Sequence, residues 1–200
     1  MWRNDIPHTC FASKEWTGSC KMEPDGCSTS CFLYRNIEDH LDRVGVPKIN
    51  RRDRIEPRKD IEALVESGVT LAITPPSKDD YRWAQSYLQA ELLKRVRSGL
   101  AARDESVLWA NWGNVTRLQM PMTDTGYNFD TDALMVFVGV SISYANAHLA
   151  DATFLSRAYK SLPTIVLFSQ TQEELGRFTS IKSSFQSPYV HVMSKGGITW

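Results

Sequence analysis

Val69-Thr-Leu-Ala-Ile-Thr-Pro-Pro-Ser-Lys-Asp-Asp-Tyr-Arg-Trp-Ala84 reads as a strand, a short loop and the opening of a helix. The apolar run Val69–Ile73 is short and β-branched, which suits a strand buried on both faces. The helix that follows is expected from about Asp80 to Ser98, with Ala84, Leu88, Leu92 and Val96 along one side. Asp79 or Asp80 is expected to cap its start, and Gly99 to end it. A strand–loop–helix unit of this kind, repeated, builds a parallel sheet covered by helices.

The repeats are present. Val107–Ala110, Ala133–Val140, Thr164–Phe168 and Tyr189–Met193 read as further strands, separated by helix-length segments. A second helix is expected over Ala147–Lys160, and a third opening at Thr171 with Gln172-Glu173-Glu174. The stretch Asn111–Thr131, with Pro121 and Gly126, reads as irregular. The expected architecture is therefore a three-layer α/β domain over residues 61–200 with a mostly parallel five-stranded sheet.

Upstream the texture differs. All four cysteines, Cys10, Cys20, Cys27 and Cys31, lie in a segment rich in Gly, Ser, Thr, Lys and Pro and poor in aliphatics. Four thiolates converging on zinc can supply the folding energy that such a segment lacks, so residues 1–45 are expected to form a zinc module ending in a short helix. The spacing is less regular than paired CxxC knuckles, and His8 is a possible substitute ligand. Four reduced thiols are the simpler alternative. A catalytic zinc is not expected, because four thiolates leave no open position.

Residues 46–60 read as a basic linker. Lys48, Arg51, Arg52 and Arg54 are candidates for weak, sequence-indifferent contact with single-stranded DNA. Interleaved Asp53 and Glu56 favour a solvated connector instead. Trp109-Ala110-Asn111-Trp112 can stack bases or pack in the core; core packing is the simpler expectation.

Composition narrows the classes further. The 200 residues are 42% hydrophobic and 23% charged, with 23 basic and 23 acidic side chains, so no polyanion-binding coat dominates. No apolar run reaches the ~18 residues of a membrane span, and no leader pattern is visible at Met1. A cytoplasmic protein is the expectation. The sequence holds no G-x-S-x-G elbow, and His148, Asp151 and Ser169 form no recognisable hydrolase pattern.

The strand–loop–helix at Val69–Ala84 stands where P-loop proteins hold phosphates, yet the loop has no glycine and carries Pro75-Pro76 in place of N–H donors. Several stretches together resemble, motif by motif, a phage-type relative of the AAA+ replicative-helicase loaders, the DnaC/IstB-like group. The family's Gly-Lys-Thr-Thr-Trp-Ala is similar to Asp79-Asp80-Tyr81-Arg82-Trp83-Ala84, which keeps Trp-Ala but puts Asp80 and Tyr81 at the lysine and magnesium-binding positions. The family's strand ending in Asp-Asp-Ile-Gly resembles Leu134–Val140, with Val138 where an acid is expected. Its sensor strand resembles Pro163–Gln170, with Gln170 at the sensor asparagine, followed by Glu173-Glu174-Leu175. Its Ile-x-Ser-Arg finger resembles Ile181–Ser184, with Ser184 at the arginine.

The resemblance implies a RecA/AAA+-like domain with strand order 5-1-4-3-2, preceded by a structural zinc module. Asp79, Asp80, Tyr81, Val138, Gln170 and Ser184 would mark a degenerate nucleotide site, leaving a pseudo-ATPase that binds no ATP. The implied role is a non-catalytic replication-accessory protein acting on a replicative helicase, an active loader or a host replication protein. Two rival expectations are an α/β protein binding a small or nucleotide-like ligand, and a structural subunit of a larger assembly.

Overall fold

A strand that is apolar on both faces is stable only between two layers, and the central strands here are of that kind. The computed structural model describes Val46 and residues 55–97, 107–118 and 133–194. The cysteines, Lys48, Arg51, Arg52, Arg54 and Gly99 lie outside the described residues. The elements in chain order are α1 (Lys59–Glu66), β1 (Thr70–Thr74), α2 (Lys78–Arg97), β2 (Val107–Asn111), α3 (Trp112–Leu118) and β3 (Leu134–Val140). There follow α4 (Ala147–Tyr159), β4 (Thr164–Phe168), α5 (Gln172–Leu175), α6 (Thr179–Phe185) and β5 (Val190–Ser194).

The five strands form one sheet in the order β2-β3-β4-β1-β5. Every pairing is parallel, where the sequence led us to expect a mostly parallel sheet. Read from the other edge, the order is the expected 5-1-4-3-2. Strands β1 and β4 are buried along their whole length. Alternate side chains feed two cores. Leu71, Ile73, Val136 and Ile165 meet Val65 of α1 and Trp83, Tyr87, Leu88 and Leu92 of α2. On the opposite face Ala72, Phe137, Val166 and Phe168 meet Trp112, Phe154, Leu175 and Phe185 from α3 to α6. The first core also takes Val46 and is flanked by Ile55, so part of the expected linker packs on the domain.

The irregular stretch needs correction, the expected core packing of Trp109 and Trp112 is met, and one helix is new. Helix α3 occupies the start of the stretch read as irregular: Asn111 Oδ1 accepts the Gly113 N–H at 2.9 Å and turns the chain straight from strand to helix. Trp112 is buried in the second core and Trp109 packs against the first, so neither offers a free ring for stacking. Helix α6 went unanticipated because Thr, Ser and Lys dominate its sequence and its apolar stripe is only Ile181 and Phe185.

Strand β3 ends in a bulge. Phe137 sits opposite Val166 and Val140 opposite Phe168, so three steps on β3 match two on β4. Gly139 takes up the extra residue at φ 62°, in the left-handed region that glycine enters freely. The parity of the strand flips there: Val138 faces the first core and Val140 the second.

At the amino edge, α1 and α4 end in the same way. Val69 N–H donates to Leu64 O at 3.1 Å and Gly68 N–H to Val65 O at 3.0 Å; Leu162 N–H donates to Arg157 O at 2.9 Å and Ser161 N–H to Ala158 O at 3.0 Å. Both are Schellman closures, with Gly68 at φ 87° and Ser161 at φ 51°. They lead into the adjacent strands β1 and β4 and lie against each other. Beside them the fully buried Arg157 donates to Thr164 Oγ1, Ala133 O and Pro163 O, tying the starts of β3 and β4 together.

A Cβ on Gly68 would lie 2.4 Å from the Ser161 carbonyl oxygen, in a backbone conformation that L side chains resist. Gly68→Ala is therefore expected to destabilise the domain by about 2–4 kcal/mol, combining left-handed strain with an overpacked backbone contact. The midpoint of urea unfolding measures it; an unchanged midpoint would mean that the two closures are not packed as described.

Candidate functional site

In a parallel sheet every strand points its carboxyl end to one edge, and the helices that follow start there with unpaired N–H groups. The expected site residues Asp79, Asp80, Tyr81, Val138 and Gln170 all fall at this edge, on the first turn of α2, the end of β3 and the segment just past β4.

The head of α2 is closed by the chain itself. Ser77 precedes the helix and receives the Asp80 N–H on its hydroxyl at 3.2 Å. Asp80 Oδ2 in return accepts the Ser77 N–H at 2.7 Å and the Ser77 hydroxyl. This is a reciprocal capping box, so the cap is Ser77, and Asp80 serves from the third helical position. The cap expected at Asp79 or Asp80 is corrected accordingly. The sequence signal was Ser-x-x-Asp directly after Pro75-Pro76.

Asp80 also has a cation. Arg58 Nη1 donates to Asp80 Oδ1 at 2.6 Å. The same guanidinium lies over the Trp83 ring, 5.3 Å from its centroid. Glu62 Oε1 accepts both the Arg58 backbone N–H at 3.2 Å and the Trp83 Nε1–H at 3.0 Å. Trp83 in turn stacks on Tyr87 at 5.8 Å. The network fastens the start of α1 to the head of α2. Arg58, inside the stretch 46–60 expected to be a linker, is thus engaged with the domain.

Burial raises the Asp80 carboxyl, but the hydrogen bonds from the Ser77 hydroxyl and amide and from Arg58, with the Arg58 charge, outweigh it and hold the group below its ordinary value. Tyr81 is raised by burial, as its ring leans on the first core. Asp79 is exposed and 3.9 Å from Arg82.

The remaining positions serve the fold. Val138 is buried in the first core, with no oxygen to offer a metal. Gln170 holds the backbone of Ile142 with both ends of its amide, accepting the Ile142 N–H at 2.5 Å and donating to Ile142 O at 3.0 Å. That clamp extends the β3–β4 contact beyond the bulge. Ser184 lies away from this edge group, buried on α6, where it bonds to Asp151 of α4 and Ser180 O. Asp80 and Tyr81 therefore share the head of α2, Gln170 clamps the neighbouring tips, and Ser184 joins two helices of the other layer.

The donors at the head of α2 are taken up within the chain. A phosphate at the head of α2 would meet a carboxylate already holding the local donors and the local guanidinium. Among the described residues no cluster of three or more His, Cys, Asp or Glu is placed to hold a metal ion.

Asp80→Ala is expected to destabilise the domain by about 1–3 kcal/mol near neutral pH, the range for losing hydrogen bonds to charged partners. The sign with pH follows from the lowered carboxyl. The contribution is complete above the ordinary value of 3.8 and is lost as pH falls through the lowered one. Unfolding curves of the two proteins should therefore converge in strong acid; a constant gap down to low pH would rule out the ion pair. No protein-family model, curated protein or solved structure matches the chain, so its reading rests on this geometry.

Proposed function

We propose that the protein is a non-catalytic relative of the AAA+ helicase loaders, a pseudo-ATPase that works by contacts with a replicative helicase or another replication protein. The observation that carries this reading is the Asp80 carboxylate, bonded to Ser77 and Arg58 at the head of α2. The all-parallel sheet with order β5-β1-β4-β3-β2 supports the RecA-like layout. Phosphoryl transfer in such folds relies on a lysine, a magnesium ion and an arginine. The positions that resemble theirs hold Asp80, Tyr81, Val138 and Ser184. Without a phosphate to sense, any change of state has to be driven by the partner.

In this reading Cys10, Cys20, Cys27 and Cys31 bind one structural zinc, and the module they form docks the partner. Their thiolates suit tetrahedral coordination. Lys48, Arg51, Arg52 and Arg54 make at most a weak, salt-sensitive contact with single-stranded DNA. Among the described residues no helix is long and apolar enough to cross a membrane.

Two measurements test the proposal. Titration calorimetry with ATP and magnesium should show no saturable binding. A micromolar dissociation constant lost on Lys78→Ala would make the loop a divergent nucleotide site and overturn the reading. Elemental analysis of the purified chain should give one zinc per molecule, with cooperative folding of the first segment lost on chelation. A folded protein with well under half an equivalent would leave the cysteines as ordinary thiols.

A further inference from the structure

Two phenol rings stand side by side in solvent where α4 ends and β5 is about to begin. Tyr159 is the last residue of α4, and Tyr189 immediately precedes β5. Their ring centroids lie 5.5 Å apart at 68°, edge towards face. Tyr159 is 64% exposed and Tyr189 44%, so an oxidant in solution reaches both. Among the described residues no other two tyrosine rings are in contact. Tyr144 meets Phe178, and Tyr87 stacks on Trp83 inside the first core.

The backbone that carries each ring is fixed, while the rings themselves are free to turn. Tyr189 O accepts the Thr70 N–H at 2.9 Å, which seats Tyr189 beside the start of β1. Tyr159 completes the last turn of α4, just before the Ser161 closure that lies against Gly68. Both anchors sit at the amino edge, where β1 pairs with β4 and β5, so the fold keeps the two rings adjacent. Exposed side chains change rotamer in picoseconds to nanoseconds. The rings therefore meet repeatedly without any movement of the chain, and a reaction between them gains from that proximity.

Phenols held in this way can be joined by oxidation. A one-electron oxidant takes one electron from each ring, each hydroxyl gives its proton to water, and two phenoxyl radicals result. Their unpaired electrons are shared with the ring carbons next to the oxygen-bearing carbon. One such carbon of Tyr159 bonds to one of Tyr189, and the hydrogen on each then moves to the oxygen, restoring both phenols. Two electrons and two protons leave in all. We propose that Tyr159 and Tyr189 form an oxidative cross-linking site, joined as dityrosine by a one-electron oxidant of the peroxidase type. The new bond closes β4, α5 and α6 into a loop and restricts the unfolded chain, as a disulfide does. The proposal goes beyond the loader reading and does not need it.

Photo-oxidation of the dilute full chain with a ruthenium tris-bipyridyl complex and persulfate tests it. The oxidant is kept in excess, because the four cysteines compete for it. The expected product is a monomer with dityrosine fluorescence, in which the peptides carrying Tyr159 and Tyr189 are joined with the loss of two hydrogens. It should melt at a higher temperature than the untreated chain. Tyr159→Phe and Tyr189→Phe, which keep the rings, should each abolish the joined pair, and Tyr144→Phe should leave it. Oxidation in urea should lose the pair as well, since unfolding separates the rings. A monomer in which Tyr159 and Tyr189 are joined no more often than other tyrosines, or a yield unchanged in urea, overturns the proposal. Neither result bears on the calorimetric test of the loader reading.

Discussion

Parallel strands place the helix starts at one edge of the sheet, and the unpaired N–H groups gathered there have to find acceptors. Much of the described structure follows from how this chain meets that demand. At α2 the acceptors are Ser77 and Asp80. At α5 they are Thr171 and Glu174, whose carboxyl is held low by the Thr171 amide and hydroxyl. Between β3 and β4 the Gln170 amide supplies a substitute rung for Ile142. At these points the edge is closed by side chains of the protein itself.

That closure has a consequence for both ends of the domain. Because Arg58 is drawn onto Asp80 and over Trp83, the start of α1 is fixed to α2, and the chain entering the domain leaves from a defined point. At the opposite edge the two Schellman closures and buried Arg157 fix where β1, β3 and β4 begin. The sheet is thus clamped at both ends by polar contacts, while the two apolar cores hold its faces.

Much of the sheet was legible in the sequence. Thr164–Phe168 is the strand that was expected, and the other four lie within a residue of their expected ends; at β1 and β4, buried along their whole length, the signal is a short apolar run. Helices α3 and α6 were not legible: each is seven residues long, too short for a periodic pattern, and each gains its helical state from packing on the second core. At the candidate site the two carboxylates at the head of α2 were visible in the sequence. Their partners were not. Arg58 is 22 residues from Asp80, and Gln170 is 28 residues from Ile142; neither spacing carries a local signal. The contact of Tyr159 with Tyr189 was hidden for the same reason.

The central claim is that the Asp80 carboxylate is the permanent anionic occupant of the head of α2. An NMR titration of the side-chain carboxyl carbon of Asp80 tests it most directly. The account predicts a midpoint below the ordinary 3.8 that moves upward in Arg58→Met, as the guanidinium bond and its charge are removed. A midpoint at or above the ordinary value, unmoved by Arg58→Met, would show that no such pair holds the site and would return the head of α2 to the list of open anion cradles.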